Sequence, residues 1–313
     1  MSSLITTGSI ARLMQPGLRR IFLQEYPTFE REYSRVFKTL KSDKNFEIDQ
    51  SVGGLGRAQI KDQGNSVNVD SFSQGYSPKY PNITVANSYW ATMESVEDEL
   101  YNIFNKGAKN LAFSMEQAKE QIGANVFNNG FDSGFTMVDG DGQPLFSTSH
   151  PLGPQDNDTF ANTLTVATSL SRTAVEEVCT QIRRLPDSRG LRINLKGNRL
   201  VVPPELEYQA CRITDSVLEP DTGNNAVNAI NHRASKGYGM LKDGYFVYDY
   251  LENAFNWFIT IDNCPSGLTH FQRRNVEFEQ DNAFTNMNIG YMASERYSFG
   301  WSDARGCFGV QGQ

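Results

Sequence analysis

The chain has 313 residues and is acidic, with 29 Lys and Arg against 36 Asp and Glu and a formal net charge of -7 at pH 7. Hydrophobic residues make up 39% of it and the mean hydropathy is -0.48, values typical of a globular protein with one large core or two moderate ones. Proteins that bind nucleic acid electrostatically normally have a basic face. The net negative charge therefore argues against nucleic-acid binding as the main function. No apolar run approaches the roughly 18 residues of a transmembrane helix, and the first residues lack the pattern of a secretory signal peptide.

The first 45 residues read as an arm. Their apolar spacing predicts a short helix that ends near Pro16 and a second helix after Pro27. One face of the second helix would carry Phe29, Tyr33, Val36, Phe37 and Leu40. Neither helix closes a compact unit, so the arm is expected to pack on something else.

Residues 46–92 change to extended, alternating sequence. Val67, Val69 and Phe72 interleave with Asn68, Asp70 and Ser71, a period-2 pattern that predicts β-structure. The stretch from Gly53 to Gly75 is polar and glycine-rich, with few residues able to bury it. Excursions of this length are usually functional, and pairing with another chain is one way to stabilise one.

A long helix is predicted from Ser95 to Phe127, with Ser95 and Asp98 resembling a capping box. Its single apolar stripe contains Val96, Leu100, Ile103, Phe104, Ala108, Leu111, Met115, Ala118, Ile122 and Val126. A β segment near Phe135 to Phe146 should follow and turn at the sequence DGDG of residues 139–142. The stripe is expected to pack on late strands of the same chain.

Residues 165–265 predict a second unit that mixes helices and strands. Ser171 should cap a helix, a strand should cover Arg199 to Val202, and Pro203 and Pro204 should open another helix. After this unit, alternation between Val276 and Phe299 predicts strands that return to the sheet beside the long helix.

The sequence contains no recognisable motif for a catalytic, cofactor-binding or metal site. No such site is therefore predicted. The DGDG turn resembles the start of a calcium loop, but His150 stands where that loop needs an acid. His150 is interpreted as a loop histidine with satisfied hydrogen bonds. The pairs Arg183-Arg184 and Arg273-Arg274 fit contacts with phosphate or with a partner subunit, and both alternatives stay open. Four scattered cysteines (Cys179, Cys211, Cys264 and Cys307) are interpreted as reduced thiols.

The order of these parts resembles the HK97-type major capsid proteins of tailed bacteriophages. Two segments resemble the group akin to the Mu-like major head subunit. One runs from Asp141 to Pro151 (DGQPLFSTSHP), and the other combines Gly190 to Leu195 (GLRINL) with Leu200 to Glu207 (LVVPPELE). The resemblance in order covers nearly the whole chain and implies an α+β fold of the HK97 type.

The resemblance also implies names for the parts. Residues 1–45 would be the N-arm, 46–90 the E-loop, 91–163 the peripheral domain with its spine helix, 164–265 the axial domain, and 266–313 the return strands of the peripheral domain. In such shells the E-loop lies over a neighbour's peripheral domain and the N-arm reaches across another subunit. Phe46 to Tyr89 should then be covered mainly by other copies.

The function implied is that of a major capsid protein, which builds an icosahedral or prolate shell around double-stranded DNA. Its expected partners are copies of itself in hexamers and pentamers, a portal and a separate scaffolding protein; a decoration protein is left open. No sequence-specific DNA binding, membrane or cofactor is expected. The expected location is the virion capsid, after assembly in the cytoplasm of the bacterial host.

Some relatives crosslink an E-loop lysine to a neighbour's asparagine with the help of a glutamate. Lys61 and Lys79 lie in the predicted E-loop, and Asn275, Glu277 and Glu279 lie late in the chain. No motif links these common residue types, so no crosslink is predicted.

Two functions other than that of a phage capsid protein are compatible with parts of the sequence. One is an encapsulin-type nanocompartment, which has the same fold but encloses an enzyme. The other is a soluble α/β enzyme, which would need a pocket of convergent polar groups. The arm and the two Mu-like segments favour the phage capsid over both.

Overall fold

The computed structural model describes residues 17–92, 94–95, 103–154, 157–218, 223, 227–231, 240–262, 264, 266–283 and 288–313. The expected helix before Pro16, the stripe residues Val96 and Leu100, and Asp98 of the capping box lie outside this set. Within it the chain forms two four-stranded sheets, each covered by helices, and three short two-stranded ribbons.

The first sheet has the order β1-β12-β13-β6. Its strands are β1 (Lys38–Lys41), β12 (Leu268–Ala283), β13 (Asn288–Trp301) and β6 (Ile83–Thr92). β13 pairs antiparallel with both β12 and β6, whereas β1 pairs parallel with β12. The predicted return of the late strands to a sheet beside the long helix is therefore confirmed for β12 and β13.

The long helix, α2 (Ile103–Asn128), lies across this sheet. Phe104, Ala108, Leu111 and Met115 are buried in one cluster with Ile289, Tyr291 and Ala293 of β13. The predicted packing of this part of the stripe on the chain's own late strands is confirmed. Ala118 and Ile122 are only half-buried, because Glu116, Lys119 and Glu120 occupy the buried face beside them.

The second sheet has the order β10-β9-β11-β14. Its strands are β10 (Tyr245–Val247), β9 (Lys196–Val202), β11 (Trp257–Asp262) and β14 (Cys307–Val310). Two helices, α3 (Arg172–Ile182) and α4 (Glu207–Asp215), contribute Val175, Val178, Ala210 and Ile213 to the core beneath it.

The local signals predicted for this second unit are confirmed. Ser171 caps α3, because its side chain accepts a hydrogen bond from the Ala174 N–H at 3.2 Å. A short 3-10 helix begins at Pro204 and leads directly into α4. Residues 266–313 were all expected to return to the sheet beside the long helix. The last strand, β14, instead pairs with β11 and belongs to the second sheet.

The arm differs most from its prediction. Residues 17–25 are helical (α1), but the helix predicted after Pro27 is wrong: short 3-10 helices at Tyr26–Thr28 and Tyr33–Arg35 precede β1. Parallel pairing of β1 with β12, from Lys38 opposite Thr269 to Lys41 opposite Gln272, outweighs the helical spacing.

Three ribbons complete the fold. β2 (Phe46–Ile48) pairs with β5 (Lys79–Pro81), β3 (Val52–Gly53) with β4 (Ser73–Gln74), and β7 (His150–Pro151) with β8 (Thr159–Phe160). The excursion after residue 45 thus ends before β6, earlier than the predicted boundary at residue 90. The β segment near Phe135 to Phe146 is reduced to isolated bridges, Thr136 with Pro144 and Lys79 with Val138.

Candidate assembly surfaces

His150, predicted to lie in a loop with satisfied hydrogen bonds, instead belongs to strand β7 and is fully buried. Its Nδ1 atom holds the DGDG turn, but no hydrogen-bond partner is found for its Nε2 atom among the described residues. The Nδ1 atom of His150 lies 2.6 Å from Oδ2 of Asp141, and its ring stacks on Phe160 at 5.1 Å between centroids. Asp139 and Gly142 in the turn adopt positive φ, as a tight turn requires. His150 and Asp141 therefore fix a loop against the second sheet.

The other described histidine is also part of the core. His270 stacks on Phe299 with 4.4 Å between centroids and contacts the Thr39 hydroxyl. Burial lowers its pKa to about 3, so its ring is neutral at physiological pH. His232 lies outside the described residues. Among those that are described, no three His, Cys, Asp or Glu side chains form a group that could hold a metal ion.

Buried charges join α2 to β13 and to the arm. The Lys119 ammonium lies 3.0 Å from Glu295 of β13, and both side chains are almost fully buried. Arg31 pairs with Glu116 at 3.1 Å, and the backbone N–H of Tyr33 donates to Glu120 at 3.0 Å. The arm from residue 17 onward thus packs on its own subunit.

The signal for this network was present in the sequence. Glu116, Lys119 and Glu120 fall at three- and four-residue spacing beside Met115, which puts them on or next to the apolar face. Their burial follows from partners on β13 and the arm. Local spacing in the sequence does not reveal partners that lie so far away along the chain.

The excursion of residues 46–82 exposes most of its apolar side chains. Ile60 is 97% exposed and Val69 is 91% exposed. Other large apolar side chains on the same excursion are also exposed: Ile48, Val52, Leu55, Val67 and Phe72. A concentration of apolar surface on one protruding loop is typical of an interaction site.

The base of this loop is fixed although its tip is irregular. Arg189 donates to the carbonyl oxygens of Gly54 at 3.2 Å and Ser71 at 2.8 Å. The Asp70 carboxylate accepts from the Gly56 N–H, which lowers the pKa of Asp70. A cavity of about 990 Å³ separates the loop stem from the body of the subunit. The loop is therefore presented to the outside at a defined position.

The residues considered for a crosslink have other contacts within one subunit. The Lys79 ammonium lies over the Phe46 ring at 4.0 Å, and Glu277 pairs with Arg274 at 3.2 Å. Lys61, Asn275 and Glu279 are exposed. The four cysteines are free, and Cys179 and Cys307 are buried, in agreement with reduced thiols.

A family model described as phage capsid protein matches residues 83–310. The chain belongs to this phage capsid protein family. It is therefore a major capsid shell protein, which has a structural role in the virion capsid and associates with other copies of itself. No curated protein matches the sequence significantly.

Solved structures show the same fold. The capsid of a native GTA particle is 12% identical, with a TM-score of 0.56 and coverage of 90% of each chain. A structure from Microbacterium phage Oxtober96 is 8% identical, with a TM-score of 0.55 and 90% coverage of each chain. The procapsid of bacteriophage JBD30 is 12% identical, with a TM-score of 0.54 over 99% of this chain and 77% of the other. The predicted α+β fold of the HK97 type is confirmed.

No helix among the described residues is both long and apolar enough to cross a bilayer.

Proposed function

We propose that copies of this protein form hexamers and pentamers of an icosahedral or prolate shell around the double-stranded DNA of a tailed phage. The main support for this proposal is the loop of residues 46–82, whose apolar side chains are exposed in a single subunit. A shell repeats one contact around closed rings, so each loop finds the same partner surface. Burial of its apolar side chains would contribute to the association free energy.

The parts of the subunit take the following roles in this proposal. Residues 46–82 form the E-loop, α2 is the spine helix of a peripheral domain built on the first sheet, and the second sheet with α3 and α4 forms the axial domain. β14 pairs with β11 and would therefore belong to the axial domain in this proposal. A portal and a separate scaffolding protein would act during assembly in the host cytoplasm. The protein would act as a structural subunit without catalysis.

Electron microscopy tests the proposal directly. The full chain, expressed with its scaffolding protein, should form hollow isometric or prolate particles. A monomer or dimer that never forms particles would contradict the shell function. The particles should protect DNA from nuclease after packaging. Particles that instead enclose an enzyme would support the encapsulin alternative.

Paired substitutions test the role of the loop. Val67→Asp with Val69→Asp puts charges on exposed loop positions, and particles should no longer form while the subunit stays folded. Val166→Asp with Val217→Asp makes the same chemical change at positions 67% and 65% exposed outside the loop. The control pair should still assemble. Equal loss of particles in both pairs would mean that the loop has no special role.

A further inference from the structure

The two edges of the first sheet differ in how they are protected from strand addition. β1 is four residues long and contains Lys38 and Lys41, and short, charged edges discourage pairing. β6 forms the other edge with ten residues, ITVANSYWAT, none of them charged or proline. Ile83 is 41% and Trp90 58% exposed. A long, uncharged edge is a template for another strand.

The E-loop contains a segment suited to that edge. Ser66 to Val69 alternates polar and β-branched residues, the pattern of a strand. No backbone hydrogen bond is found for residues 66–69 within the described part of the chain. Arg189 and Gly56 hold the next residues, Asp70 and Ser71, so the segment is tethered at its C-terminal end. At its N-terminal end, Asn65 bonds only within the loop, to the carbonyl oxygen of Asp62.

We infer that residues 66–69 of one copy add as a strand to the β6 edge of a second copy. The inference rests on the proposed shell and specifies how its E-loop binds. Backbone hydrogen bonds would supply affinity, and the alternate side chains Val67 and Val69 would cover apolar surface near Trp90. Strand addition would give hydrogen-bond partners to two sets of backbone groups that lack them in the described part of a single subunit. These are the groups of residues 66–69 and those on the free edge of β6.

Hydrogen exchange of the amides of β6 tests the inference. Alternate residues of a strand point their N–H groups to each neighbour, so about half of the amides of Ile83–Thr92 face the open edge. These should exchange fast in the free subunit and slowly in wild-type shells. Shells that form with no added protection of β6 would overturn strand addition while leaving the shell function intact.

Loop variants separate backbone pairing from side-chain contact. Val67→Pro with Val69→Pro removes two N–H donors and strand geometry, so β6 protection or assembly should be lost. Val67→Thr with Val69→Thr keeps the strand propensity and should retain both. Gln59→Pro with Lys61→Pro places prolines at the same spacing elsewhere in the loop and should also retain both.

Other outcomes identify a different partner for β6. Protection of β6 that survives the Val67→Pro and Val69→Pro substitutions would mean that another segment covers the edge, and would overturn the inference. Loss of assembly in the threonine pair as in the proline pair would assign the contact to apolar side chains alone. Failure of the wild-type chain to form particles would count against the proposed function itself.

Discussion

Glu120 shows how a single buried carboxyl links the arm to α2. Its side chain is 2% exposed and accepts the Tyr33 N–H, while Glu116 and Glu32 lie close enough to add negative charge. Burial raises the pKa of Glu120 to about 7. Because the pKa in the folded state lies above that in the unfolded chain, the ionised form destabilises the fold. The penalty is absent below about pH 4.5 and grows until about pH 7.

We therefore expect Glu120→Gln to stabilise the subunit at pH 8, by at most about 3 kcal/mol. The amide oxygen still accepts the Tyr33 N–H but never ionises. Chemical unfolding of unassembled subunits at pH 5 and pH 8 measures the difference, which should shrink at the lower pH. Glu32, whose pKa burial also raises to about 7, is present in both proteins. A variant less stable than wild type at pH 8 would contradict this assignment.

The ion pair between Lys119 and Glu295 gives a second prediction. Both partners are nearly fully buried, so Lys119→Met leaves an unpaired charge and should cost about 3–5 kcal/mol in unfolding free energy. The pair of Lys109 with Glu25 is also 3.0 Å apart but lies partly in solvent, so it is a matched control. Lys109→Met should cost less than about 1 kcal/mol. Adding Glu295→Gln to Lys119→Met should recover part of the loss; a larger loss would show that the two side chains do not act as a pair.

At the scale of elements, α2 could be predicted and the arm could not. The stripe from Phe104 to Met115 repeats at helical spacing, and local periodicity is enough to identify it. Strand β1 has no local signal, because its pairing with β12 joins residues far apart in sequence. The same reason explains why β14 in the second sheet and the buried network on α2 were missed. These features depend on contacts between residues that are far apart in sequence. Local sequence patterns do not reveal such contacts.

The stripe on α2 predicts an order of stability effects. Leu111 is 4% exposed, so Leu111→Ala should cost about 2–5 kcal/mol. Phe113 is larger but 49% exposed, and its ring contacts Phe29 at 5.5 Å. Phe113→Ala should cost about 0.5–1.5 kcal/mol. Urea unfolding of the subunit measures both. A larger effect at Phe113 would mean that α2 buries a different face.

At the scale of the whole molecule, the exposed loop of residues 46–82 could be predicted from the sequence, but its geometry could not. The excursion could be identified because it has too few residues to bury itself, a property of composition. The tethering of Asp70 and Ser71 by Arg189 joins residues 118 or 119 positions apart and could not be seen. In the proposed shell, the groups that one subunit leaves unsatisfied would meet another copy. The incomplete burial of the isolated subunit therefore carries functional information.

Limited digestion with trypsin tests whether the loop of residues 46–82 becomes covered on assembly. Arg57 and Lys61 lie in an exposed, irregular part of the loop of residues 46–82, where a protease can bind the backbone. Trypsin should cut the free subunit there first, with fragments identified by mass spectrometry. In assembled shells a neighbouring copy would cover the loop, so these cuts should become much slower than in subunits at equal protein concentration. Lys242 is exposed on the turn before β10, outside the loop, and provides a reference site in both states. Cleavage at Arg57 and Lys61 at the same rate in shells and subunits would show that the loop stays uncovered after assembly.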